Sequence, residues 1–395
     1  MSSKVAVENA RPREAQPADR CAAAALPGYA ELPAIAKLPD PFLLANGKRV
    51  QTVQEWACRR AQLSAQVQHY ELGTKPPAPQ SVRTSVEASE LLVSVDHDGK
   101  TMSFAVKIRL PQTGHAPYPA LIGMGAVSLN NEELLRHGIA LISFPNNDIG
   151  QQLNAGSRGK GKFYELYGSD HPASAMTAWA WGVSRLIDAI EHTPAARIDP
   201  SRLGVTGCSR NGKGAIVAGA FDERLRLTIA QESGSGGAAG WRVSDAQLAA
   251  GQNVQTLREI VQENVWFTDS FKQFGSAAAR LPFDQHSVMG LIAPRALLVL
   301  ENTSMEWLGN QSAYINAVAA REVWKALGVP DAMGISQVGG HNHCQLPASQ
   351  FGDVNRFVQK FLIGDASVDT DIQKTDGKFS TDARAWIDWT TPALY

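Results

Sequence analysis

From Glu90 apolar and polar residues alternate as far as Asp96, the chain turns at Asp98-Gly99, and the alternation resumes from Met102 to Leu110. Two alternating runs around Asp-Gly predict a β-hairpin. The pattern then changes to short apolar runs, at Pro119–Met124, Ile139–Phe144, Leu203–Thr206, Leu225–Ala230, Ala296–Leu300 and Gly334–Val338. Continuous apolar runs of this length predict strands buried on both faces of a parallel sheet. Between two of them, Met176, Trp179, Val183, Leu186, Ile187 and Ile190 recur at helical spacing and stop before Pro194. A second helix is predicted over Ala313–Leu327, closed by Gly328 and Pro330. A hairpin followed by alternating strands and helices is the α/β-hydrolase order: a three-layer αβα sandwich around a mostly parallel sheet.

Residues 26–80 read as a wrapping, loop-rich segment, punctuated by prolines at 39–41 and 75–79 and carrying one helical pattern over Val53–Gln66. Residues 1–20 are polar and non-periodic, which predicts a disordered leader or a cloning remnant. Residues 21–395 are then expected to form one catalytic domain. No internal repeat is evident.

Composition narrows the functional classes. With 44% hydrophobic residues, 19% charged residues and a formal net charge of -1, the chain can fill a core but has no bulk field for nucleic acid or anionic lipid. No apolar run approaches the ~20 residues that cross a bilayer, so neither membrane nor nucleic acid is expected as a partner. The N-terminus lacks the apolar core of a secretory signal, leaving either a cytosolic protein or one whose signal has been removed.

The segment Arg202–Phe221 joins a short strand, a Gly-rich turn and a small-residue helix, which describes a nucleophile elbow with Ser209 at its tip. It departs from G-x-S-x-G, because Asn211 takes the second position after the serine and Gly212 follows it. Two rivals exist. Ser209 could merely cap the helix, and a phosphate loop would need Ser or Thr after Lys213, where Gly214 stands.

The general base of such a fold sits on a late loop, and Gly339-Gly-His-Asn-His-Cys344 fits that place with His341 or His343. A zinc site built on His341, His343 and Cys344 lacks an evident fourth ligand, so no metal or other cofactor is expected. Cys208 precedes Ser209 and Cys344 follows His343. A bond between these cysteines would tie nucleophile to base, selects His343, and leaves Cys21 to pair with Cys58. Two disulfides would place the chain in an oxidising compartment; the rival is that Cys208 and Cys344 are small buried apolar residues.

Chain order requires an acid between serine and histidine at a strand end. Glu232 follows the run Leu225–Ala230 directly, inside a Gly/Ser loop free to bend toward the histidine; Glu301 and Glu306 lie one strand later. We take Glu232 as the acid.

Taken together, Gly-Cys-Ser-Arg-Asn-Gly-Lys at 207–213, Gln-Glu-Ser-Gly-Ser-Gly-Gly at 231–237 and His-Asn-His-Cys-Gln at 341–345 resemble the glucuronoyl esterases, carbohydrate esterase family 15, closest to the fungal-type members. The resemblance covers roughly residues 21–392. It implies Ser209 as nucleophile, His343 as base, Glu232 as orienting acid, Arg210 as oxyanion stabiliser and a Cys208–Cys344 bridge. It also implies that Lys213, Gln255, Glu263 and Trp307 contact the hydroxyls of a glucuronate or 4-O-methylglucuronate ring. The implied partners are glucuronoxylan and lignin–carbohydrate esters, met by a secreted monomer. An acetyl-xylan or feruloyl esterase, or an inactive carbohydrate-binding homologue, are the competing readings. Two departures stand out: four cysteines cannot supply the third disulfide frequent in fungal members, and the usual secretion signal is missing. The sequons at Asn302 and Asn310 add weak support for secretion.

Overall fold

In the computed structural model, which describes residues 21, 23 and 26–395, ten strands form one sheet in the order β1-β2-β3-β5-β4-β6-β7-β8-β9-β10. The leader expected at 1–20 lies outside the described residues. The predicted hairpin is β2 (Glu90–His97) and β3 (Lys100–Arg109), joined through Asp98 and Gly99, both at positive φ as a two-residue hairpin turn demands. A further strand, β1 (Ser81–Glu87), pairs antiparallel with β2. The hairpin is therefore part of a three-stranded meander.

The remaining predicted strands are β4 (Tyr118–Met124), β5 (Ala140–Phe144), β6 (Ile198–Cys208), β7 (Leu225–Gln231), β8 (Ala296–Glu301) and β9 (Met333–Gln337), and these pair in parallel. Their apolar runs are continuous because alternate side chains enter different cores. In β8, Leu297 and Val299 join one cluster, which includes Trp179, Val183 and Ile216 from helices Ala175–Glu191 and Arg210–Phe221. Ala296, Leu298 and Leu300 join the other, with Val354, Phe357 and Val358 from helix Ala348–Val358. Both faces of the sheet are thus covered by helices, as an αβα sandwich requires. Strand β6 starts five residues before its predicted run, and a short edge strand, β10 (Gln373–Thr375), follows β9. The histidine loop accordingly follows β9, which is not the last strand.

The helix predicted from the 176–190 stripe spans Ala175–Glu191 and is buried on all sides through Ile190. Its opening is capped by Ser174, which accepts from the Thr177 amide. The helix expected over Ala313–Leu327 runs Asn310–Ala326. Near the N-terminus, helix Val53–Val67 anchors the wrapping segment, and Cys21 is bonded to Cys58 on it. The segment also meets the chain end, where the Trp389 indole donates to Leu38 O at 3.0 Å. Among the described residues no helix is long and apolar enough to cross a membrane.

Candidate active site

Strand β6 ends at Cys208 and helix Arg210–Phe221 begins two residues later, so a single residue turns the chain. That residue is Ser209, held at φ 59. A non-glycine at positive φ is strained, and the strain persists here because the surroundings fix the turn. The Ser209 amide donates to Gln231 O on β7 at 2.9 Å. Two glycines allow the helix to start so close to the sheet: a Cβ on Gly207 would lie 2.3 Å from Asn211 O, and one on Gly212 would lie 2.8 Å from Gln231 O. The glycine displaced by one position from G-x-S-x-G thus serves the approach of helix to strand. The serine is an elbow residue, and its side chain accepts no cap bond from the helix.

One strand along, β7 leads into Glu232, also at positive φ (44°), with its amide bonded to Leu300 O. The carboxylate is buried. Its Oε2 lies 2.7 Å from His343 Nδ1, and its Oε1 accepts the Cys344 amide at 3.0 Å. Glu232 is therefore the carboxylate that meets the histidine. Glu301 instead accepts from the Ser233 amide and hydroxyl, each at 3.1 Å, and Glu306 lies exposed on a short turn.

Of the two histidines, His341 is turned inward: its Nε2 lies 2.9 Å from Val338 O, and its side chain is 5% exposed against 34% for His343. The more exposed imidazole is the one hydrogen-bonded to Glu232, whereas His341 Nδ1 lies 3.9 Å from Glu232 Oε1. Cys344 is bonded to Cys208, with Cα atoms 5.7 Å apart. The bridge joins the residue before Ser209 to the residue after His343, and it leaves no thiolate on Cys344 to bind zinc.

Beyond Ser209 the helix presents Arg210, exposed, and Lys213, buried one turn on. Lys213 Nζ donates to Ser233 O at 2.6 Å and lies over the Trp266 ring. Burial pushes its ammonium down to about 8, against the opposing pull of Glu301 and Glu263. Gln255 donates through Nε2 to Glu263 Oε2 at 2.6 Å, and its amide donates to Trp307 O at 3.1 Å. Gln255, Glu263 and Trp307 thus form one group, coupled electrostatically to Lys213 through Glu263. Trp307, at 38% exposed, offers a flat apolar wall.

The family described as "Glucuronyl esterase, fungi" matches residues 93–328. The 4-O-methyl-glucuronoyl methylesterase of Hypocrea jecorina is 50% identical over 94% of this chain and 79% of its own. The chain belongs to the fungal glucuronoyl esterase family. The glucuronoyl esterase catalytic domain from Hypocrea jecorina superposes with a TM-score of 0.90, covering 94% of this chain and all (100%) of its own. A serine-to-alanine variant of the glucuronoyl esterase from Sporotrichum thermophile, solved with methyl 4-O-methyl-β-D-glucopyranuronate, is 44% identical with a TM-score of 0.89 over 95% of this chain and 100% of its own.

Within this cluster, sequence reasoning missed Asn302. It follows β8 directly, is 0% exposed, and its amide donates to His341 O at 3.0 Å and reaches Glu232 Oε2 at 3.4 Å. Asn310 is 7% exposed, and its amide donates to Met305 O. Neither sequon offers an accessible amide in the folded chain. A strand-end position was the one available signal for Asn302, and the same signal marks Glu301.

Proposed function

We propose that Ser209, His343 and Glu232 form the catalytic triad of a serine esterase that cleaves esters of D-glucuronic acid and its 4-O-methyl form. Family membership supports glucuronate ester hydrolysis as the reaction. The observation that carries the triad is the 2.7 Å contact from His343 Nδ1 to Glu232, on a loop bonded through Cys344 to the residue before Ser209. With Nδ1–H donated to the carboxylate, Nε2 is the basic nitrogen. It takes the Ser209 proton as Oγ attacks the C6 carbonyl; the tetrahedral intermediate collapses to an acyl-enzyme, and the protonated imidazole returns the proton to the departing alcohol. Water, deprotonated by the same nitrogen, releases the glucuronate and restores Ser209.

The oxyanion would sit at the start of helix Arg210–Phe221, where first-turn amides, which have no partner within a helix, and the helix dipole favour negative charge, with the Arg210 guanidinium alongside. Lys213, Gln255, Glu263 and Trp307 would hold the ring hydroxyls: charged and amide groups bond them, and the indole covers an apolar face. No cofactor enters this scheme. In the cell wall the substrates would be lignin–carbohydrate esters of glucuronoxylan, cleaved by a secreted monomer whose single catalytic domain spans residues 21–395. The two disulfides support an oxidising compartment.

The test is hydrolysis of benzyl glucuronate by wild-type protein and by Ser209→Ala, with acetyl and feruloyl esters as controls. Wild-type turnover of the glucuronate, lost in the variant, supports the reading; preference for an acetyl or feruloyl ester overturns the substrate, and turnover retained in the variant overturns the nucleophile. A protein inert on all three esters is the binding homologue.

A further inference from the structure

Two carboxyl groups lie side by side where β7 and β8 leave the sheet. Glu232 takes part in the scheme above and Glu301 does not. Glu301 ends β8 and is fully buried. Its Oε1 accepts both the Ser233 amide and the Ser233 hydroxyl, and its Oε2 receives no hydrogen bond among the described residues. Ser233 directly follows Glu232; its carbonyl accepts Lys213 Nζ at 2.6 Å, and its Oγ accepts the Ala238 amide at 2.9 Å. One residue therefore links the acid of the triad, the buried lysine of the sugar site and the Gly-rich loop between β7 and helix Trp241–Ala249.

We propose that Glu301 is a positioning residue: its carboxyl clamps Ser233, and through Ser233 it sets the Glu232 carboxylate against His343 and the Lys213 ammonium against the substrate. This rests on the reading that Glu232 and Lys213 serve glucuronate hydrolysis. The charged groups facing Glu301 are Glu232 from the loop after β7 and Lys213 from the elbow helix, while its register partner on β9, Gln337, is uncharged. Lys213 in turn faces Glu263 and Arg210. Burial, reinforced by the neighbouring Glu232 charge, pushes the Glu301 carboxyl up to about 8, and the Ser233 bonds and Lys213 oppose this. A neutral Glu301 leaves Glu232 as the sole negative charge of the pair, with no like-charge repulsion to displace it from His343. The competing role is a charged anchor for Lys213. That role needs the negative charge, whereas the clamp needs only an acceptor.

The experiment compares Glu301→Gln, Glu301→Met and Glu301→Asp with wild type at pH 7, measuring kcat and KM for benzyl glucuronate and for a small acetyl ester that has no ring hydroxyls. Glutamine keeps an acceptor for Ser233 without charge, and it is expected to retain wild-type constants. Methionine fills the space with no acceptor. It is expected to raise KM for the glucuronate roughly 10-fold and to lower kcat for both esters, as small misplacements of reacting groups do. Aspartate, a methylene shorter, should shift the constants in the same direction and decides the matter if the methionine variant does not fold. The proposal is overturned if glutamine fails to preserve activity, or if both methionine and aspartate leave kcat and KM unchanged. Wild-type protein inert on the glucuronate would instead sink the functional reading, and the proposal with it.

Discussion

Cys208 and Cys344, separated by 136 positions in the chain, are bonded with their Cα atoms 5.7 Å apart, one beside Ser209 and the other beside His343. The bond ties the elbow covalently to the histidine loop. Closing a loop of this length removes on the order of 4–5 kcal/mol of unfolded-chain entropy in the simple loop-closure account. Replacing both cysteines by alanine should lower the denaturant midpoint and reduce kcat, because His343 loses its tether. Unfolding curves and kcat measured on the same double variant check this; unchanged kcat would mean that the Glu232 contact alone holds the imidazole.

Glu232 is bonded to His343 Nδ1 and to the Cys344 amide, so its removal strips the histidine of orientation and charge support together. Glu232→Gln is expected to lower kcat on the order of 10⁴-fold, the loss seen when a triad acid is neutralised. Glu306→Gln, on an exposed turn, should leave kcat as it is. The pair of variants separates the two candidate acids by a single assay. Equal losses in both would remove Glu232 from its role.

That contrast shows where sequence stops being informative. Strands β4 and β8 were legible because burial on both faces forces unbroken apolar runs. Strand β1 was not, since Ser81, Arg83, Thr84 and Ser85 give an edge strand little apolar signature, and β10 has only three residues, Gln-Lys-Thr. The strand-to-helix turn at Ser209 and the histidine loop were legible because glycines at 207 and 212 and a cysteine beside each segment mark them in the residue pattern. Among Glu232, Glu301 and Glu306 the strand end and the Gly/Ser loop favoured Glu232, while the positive-φ turn that aims its carboxylate arises from packing between β7 and β8 and leaves no mark in the residue pattern. Gln255 and Glu263 came from the family resemblance alone. In sequence they read as an ordinary polar stretch, and only folding brings them to Trp307.

Arg210 stands at the first turn of the elbow helix with its side chain exposed toward solvent. If its guanidinium supports the oxyanion beside the helix amides, Arg210→Ala should lower kcat by ~10²-fold or more, with a smaller change in KM. Arg210→Lys should recover part of this, since it keeps the charge but not the planar fork. Steady-state constants for benzyl glucuronate decide the case, and full kcat in the alanine variant removes the side chain from the oxyanion site.

Away from the site, Glu71 is buried among Gln285, which donates to it at 2.7 Å, and Trp241, whose indole lies 3.5 Å away. Burial pushes its carboxyl from 4.5 up to about 8, with Asp284 adding to the rise and the two donors opposing it. Between those values the folded chain holds a proton that the unfolded chain has released, so Glu71 makes stability fall as pH rises from about 4.5 to about 8. Glu301 adds a slope of the same sign in the same window. His286 acts oppositely: burial lowers it from 6.5 to about 4, and stability is lost as pH falls through that range. Glu71→Gln keeps an acceptor for Gln285 while removing the titration. It should be nearly neutral at pH 5 and stabilising at pH 8 by on the order of 3 kcal/mol, leaving the His286 limb intact. Urea unfolding of wild type and variant at pH 5 and 8 checks both ends. A gain of equal size at the two pH values would show that packing, and not the buried proton, sets the difference.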